Sequence, residues 1–341
     1  MKEFTGFKKG INLGGWLSQC RLEKEHMEGF ITEADFQKIK SMGADHVRLP
    51  IDYELIERED ATPIPEGYRY IDRCVELCAE YGLNMILDLH KTAGYVFDDA
   101  ANCGEFFESE ALQGRFLALW SKLAAHYGKY GFIAFDLLNE IVDDSVCEIW
   151  NTLAAKAISR IRSLAPRNWI LVGGTNFNSI SSVKGLLLPP DERIVYSFHF
   201  YEPMIFTHQG AEWVGGMDTA FRTSYPLTAQ EYIELSDTRL NGCCADSCRQ
   251  VPAQASGADM LLPLFEEALR VADERGVPLY CGEYGVINLA KPEYKLAYIR
   301  DLHSIFEKYE IGRAMWCCKG MDFGLTDSPC APVFDELCAL L

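Results

Sequence analysis

Eight short apolar runs, each separated from the next by a longer stretch, constrain this chain more than any other feature. They are Lys9–Leu13, His46–Ile51, Asn84–His90, Ile133–Asn139, Trp169–Gly173, Ile194–Tyr201, Pro278–Glu283 and Arg313–Cys317. The runs are mostly Val, Ile, Leu and Phe, as expected of parallel strands covered on the outside by helices. Between them, Tyr70–Tyr81, Leu112–Tyr127, Val146–Leu164, Asp259–Arg275 and Tyr294–Tyr309 carry apolar residues at helical spacing. Thr32-Glu33-Ala34-Asp35 reads as a helix start, with Thr32 as cap and acids in the first turn. Gly43, Gly82, Gly128 and Gly276 fall where helices should end. Strand and helix alternating eight times predict an α/β fold, a (β/α)8 TIM barrel forming one domain over residues 1–341.

One connection is abnormal. Glu202 to Ala258 follows the sixth strand without clear elements, and holds Phe206, Trp213, Phe221, Tyr225, Cys243, Cys244 and Cys248. On a barrel such an insertion overhangs the C-terminal mouth. It is either a cap that shapes the pocket or a surface excursion.

The formal net charge of −18 argues against nucleic acid and anionic membranes as partners, while a neutral ligand such as a sugar fits. No run approaches a membrane span, and Met1–Phe7 has no apolar stretch long enough for a signal peptide. The chain as it stands therefore reads as cytoplasmic, or as secreted if a signal was removed. Thirteen cysteines is a high, odd number, but Cys74, Cys78, Cys281, Cys317 and Cys338 lie in apolar segments, as small hydrophobes do. Cys243, Cys244 and Cys248 lack a paired C-x-x-C spacing and a nearby His, so a zinc site there is weakly supported.

Polar residues gather where the runs end: Arg48, His90, Asn139 and Glu140, His199 and Tyr201, Glu283 and Trp316. Each alone has a structural reading, as an ion-pair partner, a rim histidine or packing. Together they occupy the same position on six different strands, and the C-terminal ends of barrel strands point into a catalytic mouth. Two glutamates among them, ending the fourth and seventh runs, suggest the paired carboxylates of a glycosidase.

In this strand order the set Arg48, His90, Asn139-Glu140, His199-x-Tyr201, Glu283 and Trp316 resembles glycoside hydrolase family 5, the cellulase-type clan of barrel glycosidases, over essentially the whole chain. The resemblance implies that Glu140 is the acid/base and Glu283 the nucleophile of a retaining reaction. It implies supporting roles for Arg48, His90, Asn139, His199, Tyr201 and Trp316, with neither metal nor organic cofactor. The substrate would be a β-linked oligo- or polysaccharide, with short soluble β-glucan or cello-oligosaccharides expected first, and an endo-β-1,4-glucanase or β-mannanase on polymer as the alternative. The opening Lys9–Leu17 is similar to the exo-β-1,3-glucanase branch, but Cys20 stands where that branch usually has a glutamate. Met321–Leu325 reads as pocket lining or as a rim turn. Outside the family, a sugar-binding barrel without catalysis remains open. So does a Schiff-base aldolase, which would use Lys91 or Lys319.

Overall fold

The computed structural model describes residues 2–98, 104–188 and 190–341. Eight strands, β1 (Lys9–Asn12), β2 (His46–Asp52), β3 (Asn84–Lys91), β4 (Ile133–Asp136), β5 (Ile170–Gly173), β6 (Ile194–Phe200), β7 (Leu279–Tyr284) and β8 (Gly312–Met315), pair in sequence order into a closed barrel. Every pairing is parallel, including β1 with β8. The TIM-barrel expectation holds.

Helices follow where the apolar spacing placed them, with differences at their ends. The helix expected from Tyr70 starts at Pro65, whose ring pre-sets the first helical turn. It ends at Gly82 in the left-handed conformation, φ 62°. Thr32 caps Glu33–Ser41, its backbone N–H donating to Asp35 Oδ2 at 2.7 Å. The helix expected over 259–275 is broken into Ala258–Leu261, a 3-10 turn Leu262–Leu264 and Glu266–Arg275, because Pro263 has no N–H to continue the ladder. Among the described residues no full helix follows β5; a 3-10 turn, Ile180–Gly185, stands in that connection. The segment there is rich in Ser and Asn, which bond their own backbone in preference to a helix.

Along each strand alternate residues face the barrel axis, and they form layers. The bottom layer is apolar: Ile86, Ala134, Leu171, Val195, Tyr280 and Ala314 pack against Phe4 and Phe7. The two phenylalanine rings stack at 4.3 Å and close the N-terminal end. The layer above is polar, with Asn12, Arg48, Asp88, Asp136 and Ser197 all buried. Branched apolar residues usually fill this space. A local rule broken so consistently marks a functional region.

The insertion is not structureless. It contains Met204–Thr207, an eleven-residue helix Ala229–Arg239, and two short turns, Ser247–Gln250 and Ala258–Leu261. The helix starts in a capping box, Thr228 with Glu231, a T-x-x-E signal visible in the sequence and overlooked there. Phe206, Tyr225 and Tyr298 form an aromatic cluster with centroids 5.1 to 5.7 Å apart. The Tyr225 hydroxyl donates to Asp301 Oδ2 at 2.8 Å. The later part of the insertion is thus sewn to helix Pro292–Lys308. Its first part, through Val214, packs on Tyr201, Ile287, Trp316 and Phe323 at the mouth. No helix among the described residues is long and apolar enough to cross a membrane.

Candidate active site

Glu283 enters the mouth at the end of β7, where a register shift against β6 re-aims the chain. The Arg48 Nη1 donates to Glu283 Oε1 at 2.8 Å, and the Tyr201 hydroxyl donates to Oε2 at 3.0 Å. Arg48 has no exposed surface. Nη1 also donates to Asn12 Oδ1 (3.1 Å), Nε donates to Asp136 Oδ2 (3.1 Å), and Nη2 donates to Asn139 Oδ1 (3.0 Å) and lies 3.1 Å from Asp88 Oδ1. Burial alone would lower the guanidinium, but Asp88, Asp136 and Glu283 hold it above its ordinary value. Glu283 thus sits between one guanidinium and one phenol, an arrangement suited to an ionised carboxylate.

Glu140 has different surroundings. β4 ends at Asp136, earlier than the apolar run suggested, and the chain turns so that Glu140 takes φ 36°. The Tyr95 hydroxyl holds this turn, donating to the Glu140 carbonyl at 2.6 Å and accepting from Val142 N–H at 3.0 Å. Burial pushes the Glu140 carboxyl up to about 8, opposed by Arg48 and reinforced by Asp88 and Asp98. His199 Nδ1 lies 2.7 Å from Glu140 Oε1 and 3.7 Å from Glu283 Oε2. Burial lowers His199 to about 4, so its ring is neutral near pH 7. One donor-type atom from each of Glu140, His199 and Glu283 falls within 4.8 Å of the others.

Asn139, His90 and Trp316 complete the mouth. Asn139 accepts from Arg48 through Oδ1, which leaves its buried Nδ2 as a donor with no protein partner. His90 Nδ1 pairs with Asp88 Oδ2 at 2.7 Å, and its ring lies parallel to the Trp316 indole, 6.0 Å between centroids. Gly14 is needed at this point, because a Cβ there would come 2.7 Å from the indole.

The cellulase family model, glycosyl hydrolase family 5, matches residues 8–322. The chain belongs to this family. It is 39% identical to cellodextrinase A of Ruminococcus flavefaciens over 92% of this chain and 86% of that one. It is 38% identical to endoglucanase C of Acetivibrio thermocellus over 99% of this chain and 98% of that one. A cellobiose complex of a mutant form of Thermotoga maritima Cel5A shares the fold, with a TM-score of 0.78 at 24% identity over 98% of this chain and 96% of that one.

In this family 5 hydrolase, the eight residues singled out from the sequence converge on one mouth. Asn12, Asp88 and Asp136, which the sequence reading passed over, share the layer of Arg48 beneath the mouth and grip its guanidinium. Period two was the available signal for Asp88, which precedes His90 by two. Also unforeseen was His208 from the insertion, whose ring meets Tyr201 at 5.0 Å and Phe323 at 5.3 Å. Phe323 meets Tyr201 at 5.9 Å, so the 321–325 stretch is pocket wall as well as turn. Cys20 is half-buried at the rim, its thiol donating to Trp16 O at 3.2 Å. Burial, with Asp52 adding, pushes that thiol up to about 11.

Glu140, His199 and Glu283 are also the described residues whose donor atoms converge enough to hold a metal ion. Both Glu283 oxygens are already engaged by Arg48 and Tyr201, and a guanidinium at 2.8 Å disfavours a second cation. Cys243, Cys244 and Cys248 are free thiols. Lys319 Nζ is held by both Asp35 oxygens at 2.9 Å, and Lys91 Nζ sits 3.9 Å from Asp52 and 3.6 Å from Asp98. These are amines paired with carboxylates, not the desolvated amine of a Schiff-base site.

Proposed function

We propose that this chain is a retaining β-glucan hydrolase that cleaves the β-1,4 bonds of short cello-oligosaccharides by double displacement. The observation that carries the reading is the contrast between two glutamates whose oxygens come within 4.8 Å. One is raised by burial to about 8. The other is gripped by a guanidinium and a phenol. Retaining enzymes hold their carboxyl groups about 5–5.5 Å apart, whereas inverting ones leave about 6.5–9.5 Å for a water.

In the first step Glu140, protonated, gives its proton to the glycosidic oxygen while a Glu283 oxygen attacks C1 from the opposite face. The C1–O bond breaks and an ester to Glu283 forms. In the second step Glu140, now ionised, takes a proton from the water that attacks C1, and Glu283 leaves. Two inversions give retention. Asn139 Nδ2, held in orientation by Arg48, faces the sugar 2-hydroxyl, a contact that strengthens as positive charge develops at C1. Trp316 offers its indole face to the pyranose ring. His199 keeps the Glu140 carboxyl in place.

The preference for short substrates is supported by a relative named cellodextrinase and by the insertion residues that wall one side of the mouth. Action on polymer is supported by the equally similar relative named endoglucanase C. Initial rates on cellotriose, cellotetraose, soluble polymeric cellulose and mannan, with the product anomer followed by NMR, separate these readings. A first-formed α-anomer would sink the mechanism. Faster release of reducing ends from polymer than from cellotetraose, at equal bond concentration, would sink the preference.

A further inference from the structure

The polar layer under Glu283 holds more acid than base. Arg48 is its one cation among the described residues, and Asp88, Asp136 and Glu283 all lie within 3.1 Å of the guanidinium. The other titratable groups facing the layer are His90 from β3, Glu140 beyond β4, His199 from β6, Tyr201 beyond β6 and Tyr280 from β7. Burial lowers His90 and His199 to about 4, so both are neutral near pH 7. Burial also pushes the Tyr201 and Tyr280 phenols far up. With all three carboxylates ionised, this sealed space would carry two uncompensated negative charges. Desolvation makes that state costly unless a proton enters.

The geometry indicates where that proton sits. Glu283 receives two donors, at 2.8 and 3.0 Å. Asp88 and Asp136 face each other as direct partners in the β3–β4 register, with side chains 0% and 2% exposed. Each reaches Arg48 only at 3.1 Å; Asp88 Oδ2 also lies 2.7 Å from His90 Nδ1, while Asp88 Oδ1 has no aligned hydrogen bond. Two neighbouring buried carboxyls sharing one cation are the arrangement in which one keeps its proton.

We propose that Asp88 and Asp136 hold one proton between them, and that this leaves the charge of Arg48 to Glu283. The pair touches no substrate: both are positioning residues. Their effect on catalysis rests on the reading of Glu283 as nucleophile, but the shared proton does not. Burial supports the assignment, raising Asp88 to about 7 and Asp136 to about 6 against the pull of Arg48. When the shared proton leaves, the layer gains a negative charge. That charge weakens the hold on Glu283 and, through Asp88, raises Glu140 further.

Infrared difference spectroscopy in H2O and D2O reads the proton without any turnover. In a Glu140→Gln background at pH 6, a protonated-carboxyl C=O band is expected. Either Asp88→Asn or Asp136→Asn should remove it, because an amide takes the proton's place and the remaining aspartate ionises. In the wild-type protein a band of the same frequency should fade as pH rises past about 7. If neither substitution alters the band and the wild-type spectrum shows no such titration, the proposal fails, whatever the enzyme does to sugars. The functional counterpart is the pH profile of kcat/KM on an aryl cellobioside. Asp88→Asn should move the alkaline limb acidward by about half to one pH unit, as expected on removing one charge near Glu140. A uniform loss of rate with an unmoved limb would mean a merely structural role, and would overturn the catalytic half of the proposal.

Discussion

The raised carboxyl of Glu140 makes a stability prediction that needs no substrate. Its side chain is 15% exposed, and burial moves it from 4.5 to about 8. Below pH 4.5 both the folded and unfolded chains carry the proton, and the residue costs nothing. As pH rises, the unfolded chain releases the proton near 4.5 while the folded chain keeps it, so wild-type stability falls across this window and levels off above about pH 8. The slope is about 1.4 kcal/mol per pH unit, or about 3 kcal/mol by pH 7. Glu140→Gln has no proton to lose and escapes this cost. Typical unfolding entropies give about 0.7 kcal/mol per kelvin for a chain of 341 residues, so the variant should melt about 4 °C above wild type at pH 7. At pH 5 the gap should shrink to about 1 °C. Calorimetry of the two proteins side by side at pH 5, 6, 7, 8 and 9 cancels every other titrating group they share. A gap in melting temperature that stays constant from pH 5 to 8 would refute the assignment of a raised carboxyl to Glu140, and with it the choice of proton donor.

Glu140→Ala should hydrolyse unactivated cello-oligosaccharides at least about a hundredfold more slowly, since general acid catalysis contributes about 10²–10⁴. It should still release dinitrophenol from an activated aryl cellobioside in a stopped-flow burst, whereas Glu283→Ala should show neither activity. Arg48→Lys replaces a fork that satisfies five oxygens with a single ammonium, and should lower stability by about 3–5 kcal/mol, as broken buried ion pairs do; urea midpoints would report it. Gly14→Ala should push the Trp316 indole off His90 and raise KM for cellotetraose about tenfold, equivalent to about 1.4 kcal/mol of binding, with a smaller change in kcat under steady-state conditions.

Much of this was legible in the chain itself. Parallel strands announce themselves because both faces are covered, so their runs are continuously apolar. A residue that ends such a run must point into the mouth. That logic reached Arg48, His90, Asn139, Glu140, His199, Tyr201, Glu283 and Trp316. It stopped short of Asp88 and Asp136, because a carboxylate in mid-run looks like an edge or a turn until the register across β3 and β4 puts both on one guanidinium. Helix existence followed from spacing, but boundaries did not: Pro65 and Pro263 act through a missing N–H, which apolar spacing does not register. The β5 connection escaped because a covering helix was assumed from symmetry. The insertion was underestimated because its apolar residues pack on Tyr298 and Asp301, partners far off in sequence.

The stacked Phe4 and Phe7 rings lie at the end of the barrel away from the sugar, yet their consequence reaches the chemistry. They are the stopper of a vessel whose contents must stay dry. If residues 2–7 were loosened, water would climb past Tyr280 to Arg48 and its acids, solvate them, and erase the contrast between the two glutamates. A fusion joint or crosslink placed at this N-terminal segment, far outside any substrate footprint, would then act as an inhibitor.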